Sequence, residues 1–330
     1  MKKLHLSEEW FHGAVSLERK GEAVKPWRIP IQDYELFPPN GLNGTAQITA
    51  GIRLRFRTDS EIIELKLEAA PAAAVLDLTV DGQLFGRADI LADEATSARW
   101  SGLPSGYKDI EIWLPQGIGV TIGGLYIDEH AAAEVVVDSR PKWITYGSSI
   151  TQCAAAESPT LTWPAIVSKS MDYNLTCLGY SGQCMIEPMV GRMIRDLPAD
   201  FITLCLGINV YGAGSLNART FKPAVIGLLQ IIREKHKVTP IVVISPIFAP
   251  DRELELNKAE LNLTIMREEL KDTVALLQNR GDQHIYYRSG KEWFGEADGH
   301  LLPDRLHPNA EGYRLMGERF EERILAGVKL

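Results

Sequence analysis

No stretch of about 18 apolar residues occurs in this chain, so a membrane-spanning helix is not expected. No run of Lys and Arg occurs either, and 43 acids against 35 bases give a net charge of −8. An acidic chain without a basic stripe has no electrostatic footprint for nucleic acid. Cysteine is scarce: Cys153, Cys177, Cys184 and Cys205 lie in or beside apolar stretches, and none has metal-ligand spacing. No His, Asp or Glu cluster has such spacing, so neither a metal nor another cofactor is expected. Lys2 and Lys3 are not followed by the apolar core of a secretory leader. Reduced thiols and a cytoplasmic location are therefore the expectation. Internal repeats and low-complexity linkers are missing as well.

What remains is a globular composition of 330 residues, 45% hydrophobic and 24% charged, enough for two domains of ordinary size. Residues 1–138 read as β. Ile52-Arg53-Leu54-Arg55-Phe56-Arg57 and Ile63-Glu64-Leu65-Lys66-Leu67-Glu68 alternate with period two. Leu76-Asp77-Leu78-Thr79-Val80 does the same and runs into Asp81-Gly82, a hairpin signal. Asp109 to Leu114 and Val120 to Ile127 extend the set. Strict alternation predicts one wet and one buried face per sheet, closed as a β-sandwich.

From residue 139 onward the pattern changes, with Ser139-Arg140-Pro141 as the junction. Wholly apolar runs at Trp143 to Tyr146, Phe201 to Leu206, Ile241 to Ser245 and Ile285 to Tyr287 alternate with helical stretches. Those stretches are Trp163 to Met171, Lys222 to Glu234, Leu254 to Asn279 and Ala310 to Leu325. Apolar strands joined by helices predict a parallel sheet covered on both faces, an α/β/α catalytic domain over 139–330. Ligands of such sheets bind beyond the carboxyl ends of the strands.

Two fragments fall at such places and fit together chemically. Gly147-Ser148-Ser149 puts hydroxyls on a tight turn after an apolar strand, and Asp304-Arg305-Leu306-His307 puts a carboxylate three residues before an imidazole. Serine, histidine and an acid are what acyl transfer through a serine ester requires. Each fragment also has a plain structural reading: a helix N-cap for the serine turn and a capped turn before the last helix for Asp304 and His307. Ser148 and Ser149 compete for the nucleophile; His236, His284 and His300 are rival bases without an acid at comparable distance. Asn209, in Gly207-Ile208-Asn209, can offer an amide to an oxyanion or serve as a turn residue. The loop Gly179-Tyr180-Ser181-Gly182 could point backbone N–H groups inward. Trp163 can wall a substrate site or fill the core, and Pro246 to Pro250 can border the pocket. Cys153, Cys177 and Cys184 read as packed thiols, and Glu253 to Glu269 as a solvated helix face.

Taken in order, these four fragments resemble the signature blocks of the SGNH, or GDSL-type, hydrolases. Ser149 matches the nucleophile block, Gly182 the glycine block, Asn209 the asparagine block, and Asp304 to His307 the D-x-x-H block. The resemblance implies a flavodoxin-like catalytic domain, here behind a jelly-roll-like sandwich as in a bacterial subgroup. It favours Ser149 over Ser148 as nucleophile, with His307 as general base and acid and Asp304 as its orienter. It implies an oxyanion hole of the Ser149 N–H, the Gly182 N–H and the Asn209 amide. Ser148 and Val210 stand where the family usually has Asp. The function expected first is a serine esterase acting on a small acyl ester, acetyl on a saccharide being the favoured case. An acyltransferase with the same triad and a non-catalytic carbohydrate-binding protein are the alternatives. The residues do not specify the acyl group, the alcohol or the oligomeric state.

Overall fold

A computed structural model describes residues 1–39 and 41–330. Its N-terminal half holds two antiparallel six-stranded sheets. One runs in the order Ser16–Lys20, Ala23–Trp27, Ile122–Ile127, Ile62–Leu67, Thr96–Ser101, with Lys2–Leu4 also on Ile122–Ile127. The other runs Ala133–Val135, Arg53–Thr58, Lys108–Trp113, Ala74–Val80, Gln83–Ile90, with Phe11–His12 on Arg53–Thr58. The alternating residues explain the closure. Leu54, Phe56, Ile63, Leu65, Leu76, Leu78, Ile110 and Ile112 all point between the sheets and are fully buried.

The expected wet face of the second sheet is wet only in part, with Arg57 exposed and Arg53 covered. Arg53 is as buried as its apolar neighbours, because the catalytic domain covers it. Its guanidinium donates to the Leu175 carbonyl at 3.1 Å and to Asn174 Oδ1 at 2.9 Å, while Arg55 pairs with Asp138 at 2.7 Å. Basic residues at alternate positions suit this face because a guanidinium satisfies several acceptors at once. Asp77, also fully buried, ties the sheet to the stretch after the nucleophile strand. Its Oδ2 accepts from the Ser158 hydroxyl at 2.6 Å and from the Thr160 N–H and hydroxyl at 3.0 and 2.6 Å.

The second half is a parallel sheet ordered Asn174–Gly179, Lys142–Gly147, Phe201–Cys205, Ile241–Ile244, Ile285–Arg288. In chain order this is 2-1-3-4-5, the flavodoxin-like order, whose switch point lies between the first and third strands. The helices Trp163–Ser170 and Ala310–Phe320 pack on each other, as do Pro188–Asp196 with Phe221–Arg233 and Phe221–Arg233 with Leu263–Asn279. Aromatic rings fill one layer: Trp143 stacks on Phe201 with centroids 5.5 Å apart, and Trp163 lies edge-to-face with Trp293 at 4.9 Å.

Two helical expectations change. Of Leu254 to Asn279, only Leu263–Asn279 is helical. Asn262 caps it by accepting the Ile265 N–H, and Asn257 takes the N–H groups of Ala259 and Leu261, closing a loop before it. Glu253 is not on a solvated face; it pairs with Arg267 at 2.7 Å. The last helix ends at Phe320 and continues as one π-helical turn, Glu321–Leu325.

The two cores do not divide at one point of the chain. Trp27, Ile29, Phe37, Leu42, Ala46 and Trp113 belong to the core cluster of the catalytic domain. The segment after Ala23–Trp27 therefore leaves the sandwich and packs beside the catalytic sheet.

Candidate active site

The nucleophile strand Lys142–Gly147 ends in a turn so tight that a side chain at Gly147 would collide with Thr151, its Cβ falling 2.9 Å from Thr151 Cβ. The short helix Ser149–Gln152 follows. Its N-cap is Ser148, whose hydroxyl accepts the Ile150 N–H at 3.2 Å and is almost wholly buried. Ser149 is left free of capping, half-buried at the carboxyl end of the sheet. Its Oγ lies 2.8 Å from His307 Nε2.

His307 and Asp304 meet through a loop that Asp304 itself organises. Its Oδ1 accepts the backbone N–H groups of Leu306 at 3.0 Å and His307 at 2.7 Å, and its Oδ2 lies 2.6 Å from His307 Nδ1. A carboxylate only accepts, so Nδ1 carries the proton and Nε2 faces the serine hydroxyl as acceptor. Partial burial opposes ionisation of Asp304, but hydrogen bonds from the imidazole and the two N–H groups outweigh it and bring its pKa down to about 2. Between them, Arg305 holds a left-handed φ of 62° while its guanidinium pairs with Asp251 at 2.6 Å. The last helix is capped by Asn309, which accepts the Gly312 N–H, so Asp304 and His307 are not its cap.

Three donors expected to serve an oxyanion have the following surroundings. Asn209 lies in the first turn of the helix Ile208–Ala213, and its Oδ1 accepts the Cys184 N–H at 3.0 Å. That bond fixes the amide and leaves the NH₂ end as the free donor. The Ser149 N–H, at the first position of its helix, and the Gly182 N–H have no protein acceptor among the described residues. Gly182 has φ +71°, a conformation that favours glycine, within a turn closed by the Gln183 N–H on the Tyr180 carbonyl at 3.0 Å.

The other sequence-level candidates go elsewhere. Trp163 is a correction: it does not wall a substrate site but is fully buried, stacked on Phe320 and donating its indole N–H to the Ile150 carbonyl at 2.8 Å. Its role is to fix the helix that carries Ser149 from beneath. His236 is spent on the carbonyls of Ile194 and Leu197, and His300 contacts the Ala297 carbonyl. Cys153, Cys177 and Cys184 are buried free thiols, and burial pushes all three up from the ordinary thiol range. Val210 is buried in the core. Among the described residues, no group of three His, Cys, Asp or Glu side chains could hold a metal ion.

Beside the triad is an apolar crevice lined by Ile150, Leu206, Ile208, Ile247, Ala249 and Leu306. Ile150, Ile208 and Leu306 are the chain neighbours of Ser149, Asn209 and His307. The crevice holds about 20 Å³ of water-sized space, room for a methyl-sized group. A wider groove of about 610 Å³, lined by Arg233, Lys237 and His284, includes none of these residues.

Sequence reading missed the residues that hold the Tyr180–Gln183 turn: Gln152, Gln116 and Arg28. No local pattern marks them, because each acts through a partner distant in the chain.

A strand-end serine in contact with an imidazole that a carboxylate orients defines the class of serine-dependent acyl-transfer enzymes. Residues 141–325 match the GDSL-like Lipase/Acylhydrolase family. The chain belongs to that family and is an enzyme of the SGNH/GDSL superfamily. Residues 10–118 match the SsfX3 N-terminal domain. Among solved structures, the chain is similar to the salicylyl-acyltransferase SsfX3 from a tetracycline biosynthetic pathway, with 32% identity, 96% of this chain and 94% of that one covered, and a TM-score of 0.90. A putative GDSL-like lipase from Bacteroides ovatus shares 24% identity over 94% of this chain and 93% of its own, with a TM-score of 0.77. A family two carbohydrate esterase from Clostridium thermocellum shares the fold at 15% identity, covering 85% of this chain and 93% of its own at a TM-score of 0.66. Among curated proteins, no sequence matches.

Proposed function

We propose that the protein transfers a short acyl group from an ester to an alcohol through an acyl-enzyme on Ser149. His307 Nε2 takes the proton of the Ser149 hydroxyl as Oγ adds to the ester carbonyl. The negative charge that develops on the carbonyl oxygen is met by the N–H groups of Ser149 and Gly182 and by the Asn209 amide. As the tetrahedral adduct collapses, the C–O bond to the first alcohol breaks and His307 returns the proton to it. The acceptor alcohol then enters and gives its proton to His307 as it attacks the acyl carbon; when this second adduct collapses, the bond from the acyl carbon to Ser149 Oγ breaks and His307 returns the proton to Oγ. Asp304 holds the imidazole tautomer throughout and stabilises the imidazolium.

The observation that carries this reading is the continuous chain from Asp304 through His307 to Ser149, at 2.6 and 2.8 Å. An alcohol acceptor is placed ahead of water, the first expectation from the sequence, because the likeness to an acyltransferase extends through both domains. The methyl-sized crevice supports a short acyl group such as acetyl. Hydrolysis of an acetylated saccharide is the second reading, favoured by that same crevice. A cytoplasmic location is part of the proposal and rests on the sequence alone.

The deciding experiment measures partitioning of the acyl-enzyme. p-Nitrophenyl acetate is supplied with a panel of alcohols, including sugars, and the new ester and free acetate are quantified. Acyl transfer requires some acceptor at millimolar concentration to divert most of the acyl groups from water. If acetate is the sole product with every acceptor and acetylated sugars are turned over faster, hydrolysis is the function.

A further inference from the structure

The Gly182 N–H lies in the middle peptide of the Tyr180–Gln183 turn. Type I and type II turns differ by a flip of that peptide, which reverses the direction of its N–H. The positive φ of Gly182 is the type II arrangement, so an oxyanion donor here depends on what holds the turn in that form. Two sets of contacts do so. On one side the Tyr180 N–H donates to the Gly147 carbonyl at 2.8 Å, and the Tyr180 hydroxyl donates to the Arg28 carbonyl. Arg28 is fully buried and no carboxylate faces it; its guanidinium spends its protons on the carbonyls of Ile48, Thr45, Cys177 and Gly179. A buried cation satisfied only by carbonyls is costly, and it welds the segment after the first hairpin to the strand leading into this turn.

On the other side is Gln152, 2% exposed, the last residue of the nucleophile helix. Its Oε1 accepts the Ser181 N–H at 3.1 Å, and its Nε2 donates to the Gln116 carbonyl of the β-domain at 3.3 Å. Gln116 is itself held, with its side-chain amide on the Ala156 carbonyl at 2.9 Å. The side chain of Gln152 thus links Ser149's helix, the β-domain and the residue preceding Gly182. We infer that Gln152 is a positioning residue: held by the β-domain through Gln116, it anchors the Tyr180–Ser181 peptide and so keeps the next peptide, Ser181–Gly182, turned with the Gly182 N–H toward the oxyanion. The β-domain then contributes to the rate of the chemical step as well as to the fold.

The inference rests on the proposed Ser149 chemistry, and the test separates the two. Steady-state kinetics are measured with p-nitrophenyl acetate and its thiono analogue, whose developing sulfur anion is a poor hydrogen-bond acceptor. Gln152→Met, which keeps length but removes both amide bonds, should lower kcat for the oxygen ester about tenfold with KM within about twofold. The oxygen-to-thiono rate ratio should fall by the same factor, because the lost bond is made only to the oxyanion. Gly182→Ala serves as the reference: open space surrounds its Cβ position, yet the positive φ is disfavoured, so it should show the same signature. If Gln152→Met does not melt cooperatively, Gln152→Asn, one methylene too short to reach Ser181, is read in the same assay. A kcat within about twofold of wild type, or a lowered kcat with an unchanged rate ratio, overturns the inference. If wild type is no more active than Ser149→Ala, the proposed function itself has failed.

Discussion

Ser148 and Ser149 are adjacent but do opposite work: Ser148 turns its hydroxyl inward to cap the helix at the Ile150 N–H, and Ser149 presents its hydroxyl to His307. Ser149→Ala should therefore reduce ester turnover by at least about 10⁴-fold while leaving the melting temperature near wild type. Ser148→Ala should keep most of the activity and lose about 1 kcal/mol of stability, the worth of an N-cap. Labelling by a serine-directed phosphonate, followed by peptide mapping, checks the assignment. A label on Ser148 reverses it.

Asp304 should influence both rate and acid stability. Asp304→Asn keeps the shape but removes the charge that holds Nδ1 protonated, so kcat should drop about 10³- to 10⁴-fold with little change in KM. The folded-state pKa of Asp304 is lowered from 3.8 to about 2. A group lowered on folding stabilises above its unfolded value, and that contribution is lost as pH falls through the folded value. Wild type should accordingly lose more stability than Asp304→Asn between about pH 4 and about pH 2, read by urea unfolding at each pH. Parallel curves for the two proteins would count against the carboxylate being held by His307.

For Asn209 the prediction concerns which kinetic constant moves. Its Oδ1 is engaged by the Cys184 N–H, so the NH₂ end is available to an oxyanion that exists only in the transition state. Asn209→Ala should lower kcat by about 10² to 10³, or about 3 to 4 kcal/mol, with KM nearly unchanged. A raised KM at wild-type kcat would mean that the amide binds the ground-state ester instead.

How much of this was legible in the sequence differs between the two halves of the problem. Period-two alternation at Leu54 and Phe56 located a sandwich strand, and apolar runs such as Phe201 to Leu206 located the parallel sheet, because burial acts on every residue of a regular element. The candidate catalytic residues were legible because their chemistry needs specific residue types at strand ends. The strand Asn174–Gly179 and the hairpin Ser16–Trp27 were not, since polar residues and Pro26 interrupt their patterns. Trp163 was ambiguous in kind: an indole can line a cleft or a core, and only the packing against Phe320 and Trp293 decides it. Arg53 and Asp77 read as solvent-facing because alternation reports that two faces differ, without reporting what covers the second one.

That covering is the basis of the last prediction. A fragment beginning at Lys142 would lack Trp27, Ile29, Phe37, Leu42 and Trp113, all buried in the catalytic domain's own core. At about 2 kcal/mol for each large apolar side chain, the loss is about 10 kcal/mol, comparable with the whole stability of an ordinary domain. The fragment should be insoluble or unfolded, and the β-domain is thus expected to be inseparable from the fold. A point variant tests the same joint more gently. Asp77→Ala leaves the Ser158 hydroxyl and both Thr160 donors without their buried acceptor and should cost about 3 kcal/mol. Asp77→Asn keeps an acceptor oxygen and should cost less. Thermal unfolding of both variants checks the ordering, and a soluble, fully active fragment from Lys142 would show that the two cores are independent after all.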